Sequence, residues 1–105
     1  MRKTIYLGNR NKLFEYRTIG QLQEECRNYR IAICGNATLG RNVTLGEGVK
    51  IGKAVKIGND VVLGNNVNIG DGVPLPDDLV IKDNTIGYME DGEILFQLGE
   101  EITRF

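Results

Sequence analysis

Residues 33 to 86 constrain the fold more than any other stretch, because one six-residue unit is written there nine times without a break: Ile33-CGNAT, Leu39-GRNVT, Leu45-GEGVK, Ile51-GKAVK, Ile57-GNDVV, Leu63-GNNVN, Ile69-GDGVP, Leu75-PDDLV and Ile81-KDNTI. Every unit opens with Leu or Ile. The fifth residue is Val, with Ala37, Leu79 and Thr85 as the exceptions. A fixed short period means one supersecondary unit stacked on copies of itself, since no unit alone can keep its apolar side out of water.

The unit divides into a strand and a corner. In Val49-Lys50-Ile51 the two aliphatic residues point one way and the lysine the other, the alternation of a strand with one buried face. Two corner residues separate successive strands, as in Asn65-Asn66 or Asp71-Gly72. The second of each pair is Asn, Gly or Asp everywhere except at Ala54. Those residue types enter the left-handed backbone region at least cost, so each corner is predicted to turn sharply.

With its repeated [Leu/Ile]-Gly-x-[Asn/Gly/Asp]-Val-x, as in Leu63-GNNVN, the chain resembles the hexapeptide-repeat proteins that fold as a left-handed parallel β-helix. The resemblance implies an all-β fold with three flat faces, 18 residues per turn, and about three coils. It also implies left-handed crossovers, against the usual right-handed preference. A single domain over 1–105 is expected. Its parts are an N-terminal hairpin with a short capping helix (1–30), the repeat helix (31–86), and a C-terminal hairpin or tail (87–105).

The flanks read as covers for the raw ends of the cylinder. Thr4–Leu7 and Leu13–Tyr16 suggest two strands about a turn at Gly8-Asn9-Arg10-Asn11. Thr18-Ile19-Gly20-Gln21 is a capping-box pattern, and Ile19, Leu22, Cys26 and Tyr29 follow at helical spacing, predicting a helix of about three turns. After Ile86 the repeat fails at Gly87, and Asp91-Gly92 between apolar segments predicts a hairpin. Phe96, Ile102 and Phe105 are expected to pack on the last coil or on a neighbouring subunit. The two cysteines, Cys26 and Cys34, are read as free buried thiols. The N-terminal sequence lacks a signal-peptide pattern and no segment reaches membrane-spanning length, so a cytoplasmic protein with no membrane partner is expected.

The resemblance also implies chemistries to weigh. Acyltransferases on this fold use acetyl-coenzyme A or related donors, with a histidine as general base, and the carbonic anhydrases on it bind zinc through three histidines. This chain has no histidine. A carboxylate base at Glu47 or Asp71 is the remaining option, but corner acids on such a fold read first as solvated turn residues. No catalytic residue, metal ligand or cofactor is therefore assigned. Gly46-x-Gly48 and Gly70-x-Gly72 open no helix, so they are assigned to corners rather than to a phosphate loop.

Charge is unevenly spread. Residues 1–56 hold eleven Lys/Arg against four Asp/Glu (+7), and residues 57–105 hold two against ten (−8), which sum to the net −1. A basic end and an acidic end are expected, with Lys50, Lys53 and Lys56 wrapped about one corner and Arg41 nearby. Three readings stand for this asymmetry: solvation and pairing of the surface, an anionic ligand, nucleic acid or acidic protein at the basic end, and head-to-tail association. Counting 18 residues per coil, Thr44, Val62 and Val80 form the one outward column without charged or amide side chains. Such a column needs a cover. A neighbouring subunit in a homotrimer, or the C-terminal hairpin, is expected to supply it. The function expected is a non-catalytic oligomeric binding or structural module, the alternative being a divergent acyltransferase-like protein.

Overall fold

A computed structural model describes residues 3–9 and 12–104. The chain runs β1 (Lys3–Leu7), β2 (Lys12–Tyr16), α1 (Ile19–Cys26), a 3-10 turn (Arg27–Tyr29), then nine short strands: β3 (Ala32–Ile33), β4 (Thr38–Leu39), β5 (Val43–Leu45), β6 (Lys50–Ile51), β7 (Lys56–Ile57), β8 (Val62–Leu63), β9 (Asn68–Ile69), β10 (Pro74–Leu75) and β11 (Val80–Ile81). A tail of β12 (Ile86–Glu90), β13 (Glu93–Leu98) and β14 (Glu101–Arg104) follows. The strands form three sheets about one axis: sheet I in the order β11-β8-β5-β1-β2, sheet II in the order β14-β13-β12-β9-β6-β3, and sheet III in the order β10-β7-β4. Residues 18 apart are parallel partners, as in Thr44 with Val62 and Lys50 with Asn68. The all-β, three-coil parallel β-helix expected from the repeat is the fold of this protein.

Alternation sets the core. Of the first and fifth residues of the nine units all are buried except the half-buried Leu79, and Val49, Val55, Val61 and Val67 are fully enclosed. Thr85 is the polar member of this set, and its hydroxyl donates to the Lys82 carbonyl at 2.8 Å, so burial leaves it paired.

The corners differ from expectation in one respect. Their second residues adopt positive φ from Asn42 to Asn84, including Ala54 at 55°. Asn36 departs from the rule, and its Oδ1 instead accepts the Ala54 N–H at 3.0 Å. The first corner residues carry a role the turn argument does not supply. Oδ1 of Asn59, Asn65, Asp71, Asp77 and Asp83 accepts the N–H of Arg41, Glu47, Lys53, Asn59 and Asn65, one coil earlier, at 2.7–2.9 Å. Each accepting oxygen lies against the glycine that precedes the donor. A Cβ at Gly40 would stand 2.5 Å from Asn59 Oδ1, and one at Gly46 2.6 Å from Asn65 Oδ1. So the second-position glycines make room for the next coil's side chain, and no unusual φ is involved at these positions.

The two ends of the cylinder are chemically opposite. Within each sheet the N–H groups of a coil donate to the carbonyls of the next, for example Thr38 to Val55, Val62 to Leu79 and Asn68 to Thr85. The first coil therefore presents unused carbonyls. Those of Ile33 and Leu39 accept from Gln23 Nε2 and Lys3 Nζ, and that of Leu45 accepts from the Asn9 backbone. The N-terminal hairpin does more than cover this end: β1 pairs in parallel with β5, so Ile5 and Leu7, both fully buried, occupy the core positions of a unit the repeat does not write. The capping box at Thr18 is present, but α1 has eight residues and the 3-10 turn completes the third turn. Leu22 and Cys26 are its buried residues, with Ile19 and Tyr29 partly buried against the core. Arg10 and Asn11 of the turn between β1 and β2 lie outside the described residues.

The opposite end presents unused amides. β12 continues sheet II, and β13 pairs with it about Asp91-Gly92, both at positive φ. Gly87 takes the position of a core aliphatic, because Phe96 of β13 fills that space: a Cβ there would meet Ile69 Cδ1 at 3.0 Å and Phe96 Cε1 at 3.1 Å. The tail also has a third strand, β14, beyond the hairpin that the sequence predicts. Ile102 on it is 55% exposed rather than packed on the coil, and Phe105 is outside the described residues. Sheet III ends otherwise. The positions whose N–H would point past its last strand are 74 and 76, and they hold the two prolines of the chain. Proline has no donor to leave unpaired and blocks strand addition.

Candidate functional site

The outward face of sheet I is set by five aligned side chains, Leu13, Tyr6, Thr44, Val62 and Val80, one from each strand in order. None is charged. The other faces carry Lys50 and Asn68 on sheet II and Lys56 on sheet III, all exposed. Of the three residues expected at an interface, Val80 is 68% exposed, Val62 half-buried and Thr44 only 4% exposed. Thr44 is closed in within the chain beside Tyr6, and its hydroxyl is buried with no hydrogen-bond partner. The C-terminal hairpin does not cover this column, because its strands extend sheet II instead. Sequence reasoning missed Tyr6 and Leu13, since 18-residue counting starts only where the repeat starts.

Lys50, Lys53 and Lys56 do flank one corner, on the outward side of β6, at the corner itself and on β7. Arg41 stands on the next corner, beyond sheet III. One feature of the lysine corner opposes an anion: the next coil places Asp71 there, its carboxylate accepting the Lys53 N–H at 2.7 Å. Glu47 is a solvated corner residue, so the two carboxylates weighed as bases occupy separate corners. Among the described residues no group of three or more His, Cys, Asp and Glu side chains is placed to hold a metal ion. No helix there is long and apolar enough to cross a membrane.

Both cysteines are free, Cys26 buried and Cys34 half-buried. Burial, with a smaller push from the Glu25 charge, raises the Cys26 thiol to about 12. The thiolate is the reactive form. At pH 8 a neutral alkylating reagent should modify the buried Cys26 far more slowly in the native chain than in the unfolded one, and more slowly than the half-buried Cys34. Equal native rates, read by mass spectrometry, would contradict the buried placement.

A concavity lies at the far end of sheet I. Leu79 and Ile81, on or beside β11, face Phe96 and Leu98 of β13 across a cleft of about 300 Å³, with Lys82 and Glu101 also on its walls.

Residues 42–73 match the family model described as Bacterial transferase hexapeptide (six repeats). No curated protein and no solved structure matches the chain.

Proposed function

We infer that this hexapeptide-repeat protein is a self-associating module that acts by binding, with three copies joined through the outward face of sheet I. The observation that carries this reading is the uncharged column on that face, where Leu13 and Val80 are 54% and 68% exposed while the neighbouring faces carry lysines and an amide. A flat sheet with an uncovered apolar column is an association surface. Three copies, with the axis along the cylinder, bring the columns together, and partners or ligands then meet the assembly at subunit boundaries or at the basic N-terminal end. Because Thr44 is already closed in, Leu13, Tyr6, Val62 and Val80 supply the contact.

Light scattering on the purified chain gives the test. The wild type should have the mass of three chains, and Val62→Lys with Val80→Lys should reduce it to one without loss of β-sheet signal, since both side chains point away from the core. Three chains after the substitutions would move the interface elsewhere, and one chain before them would end the reading.

The repeat match supports a second reading, an acyltransferase-like protein. It would need a base other than histidine, with Glu47 and Asp71 as the corner carboxylates available. Heat on titrating acetyl-coenzyme A into the protein, with acyl transfer to an amine or hydroxyl acceptor, would favour it over the association module.

A further inference from the structure

We propose that the C-terminal edge of sheet I, strand β11, is a strand-addition site for an extended basic peptide of a partner protein. The argument begins with the direction of the coil hydrogen bonds. In sheet I the amides of Thr44 and Gly46 donate to Val61 and Leu63, and those of Val62 and Gly64 to Leu79 and Ile81, all at 2.8–2.9 Å. The next pair in this series is Val80 and Lys82. Among the described residues β11 pairs only with β8, and no further coil there receives these two amides.

The other sheets do not share this condition. At the same end, sheet II is continued by β12, β13 and β14, and sheet III has prolines at the two corresponding positions, Pro74 and Pro76. At the opposite end the final carbonyl of each first-coil strand is taken, by Gln23, Lys3 and Asn9. Where sheet II is extended and sheet III is closed by prolines, β11 is left with two donors at strand spacing. They border a cleft with apolar side chains on both sides, Leu79 and Ile81 facing Phe96 and Leu98.

The preceding coil shows how a guest would sit. Val62 and Gly64 donate to the carbonyls of Leu79 and Ile81, residues two apart whose side chains turn inward. A guest strand parallel to β11 would offer two carbonyls in the same way. Its first and third side chains would enter the cleft, and its second would lie outward in line with Val80. This is recognition by strand addition, with the backbone supplying affinity and alternate pockets supplying selectivity. Charge selects among apolar-x-apolar segments. Asp77, Asp78 and Asp83 flank β11 in the chain, and Glu101 stands on the cleft wall, with Lys82 as the one cation lining it. Lysines on either side of the tripeptide fit that surround.

The site is on the edge of sheet I rather than on its outward face, so peptide binding and oligomeric mass are read separately. The probe is the acetylated, amidated peptide Lys-Val-Thr-Val-Lys. Hydrogen exchange on the wild-type chain should show fast exchange at the Val80 and Lys82 amides, and protection of both on adding peptide. Lys82→Pro, which copies into sheet I what Pro76 does in sheet III, should bind about tenfold more weakly than Lys82→Ala, which removes the same side chain but keeps the amide. The Glu-flanked analogue should bind more weakly than the Lys-flanked peptide, and the gap should close as salt is raised.

Equal affinity of Lys82→Pro and Lys82→Ala overturns the proposal. So does exchange at Val80 and Lys82 that saturating peptide does not slow. Protection that grows with protein concentration in the absence of peptide would make a second copy the occupant, and would overturn it as well. Should Lys82→Pro fail to fold, the wild-type exchange measurement decides alone.

Discussion

Val61→Asp is expected to abolish cooperative folding, whereas a lysine one residue later should be tolerated. Val61 is fully buried at the fifth position of the middle coil's unit, and residues 18 away in either direction, Val43 and Leu79, stack in the same column above and below it. A carboxylate there must be desolvated among aliphatic groups with no donor in reach, a cost of several kcal/mol whether it stays charged or takes up a proton. A domain of this size has a total stability of about 5–15 kcal/mol. The position cannot relax outward, because turning one residue over would also turn its neighbours in the strand. Circular dichroism against temperature is the measurement. A soluble Val61→Asp protein melting within a few degrees of wild type would mean that the side chain is not inside the cylinder.

Gly58→Ala should cost about 2–4 kcal/mol, combining an overpacked contact with a lost ladder bond. The added methyl would overlap Asp77 Oδ1 and stand 2.7 Å from the Asp77 backbone nitrogen, which cannot move without separating two coils. It would also displace the oxygen that accepts the Asn59 N–H at 2.7 Å. Gly70→Ala is the control, since its nearest neighbour is the Gly87 carbonyl oxygen at 3.4 Å and no Asn or Asp side chain stands over it. Urea denaturation should separate the two clearly. Equal losses at Gly58 and Gly70 would mean that the glycines serve backbone freedom alone, and that the interlock with the next coil carries no weight.

That contrast shows where the sequence was readable and where it was not. Alternation assigned inside and outside residue by residue, because burial of a strand face depends only on neighbours two apart, and the capping box at Thr18 and the turn at Asp91-Gly92 are equally local. Contacts between coils join residues 18 or 19 apart, so their signature is spread over three units. Glycine at 40, 46, 52, 58 and 64 drew no separate explanation from the repeat, yet each is matched by Asn or Asp 19 residues later, whereas Cys34, which is not glycine, is matched by Lys53. Asn and Asp begin at the first corner position at Asn59, whose Oδ1 accepts the Arg41 N–H of the coil before. The association column was legible from Thr44 onward and invisible at Tyr6 and Leu13, which lie before the periodic stretch. The charged cluster at Lys50, Lys53 and Lys56 was visible as three letters, but Asp71 beside it required the coil register. The open edge at β11 could not be read at all until the donor direction of each strand was known.

The 18-residue register also limits how this chain can change length. Adding or removing a whole coil leaves each later residue on its own face and merely moves it along the axis, so the tail meets the same three sheets. Adding a single six-residue unit is another matter. Everything after the insertion would advance by one face: the two prolines would leave sheet III, the hairpin would no longer continue sheet II, and the uncapped amides would appear on a different side of the molecule. Length variants of this protein are thus confined to multiples of a full turn, and the finishing devices at its C-terminal end keep count of that turn.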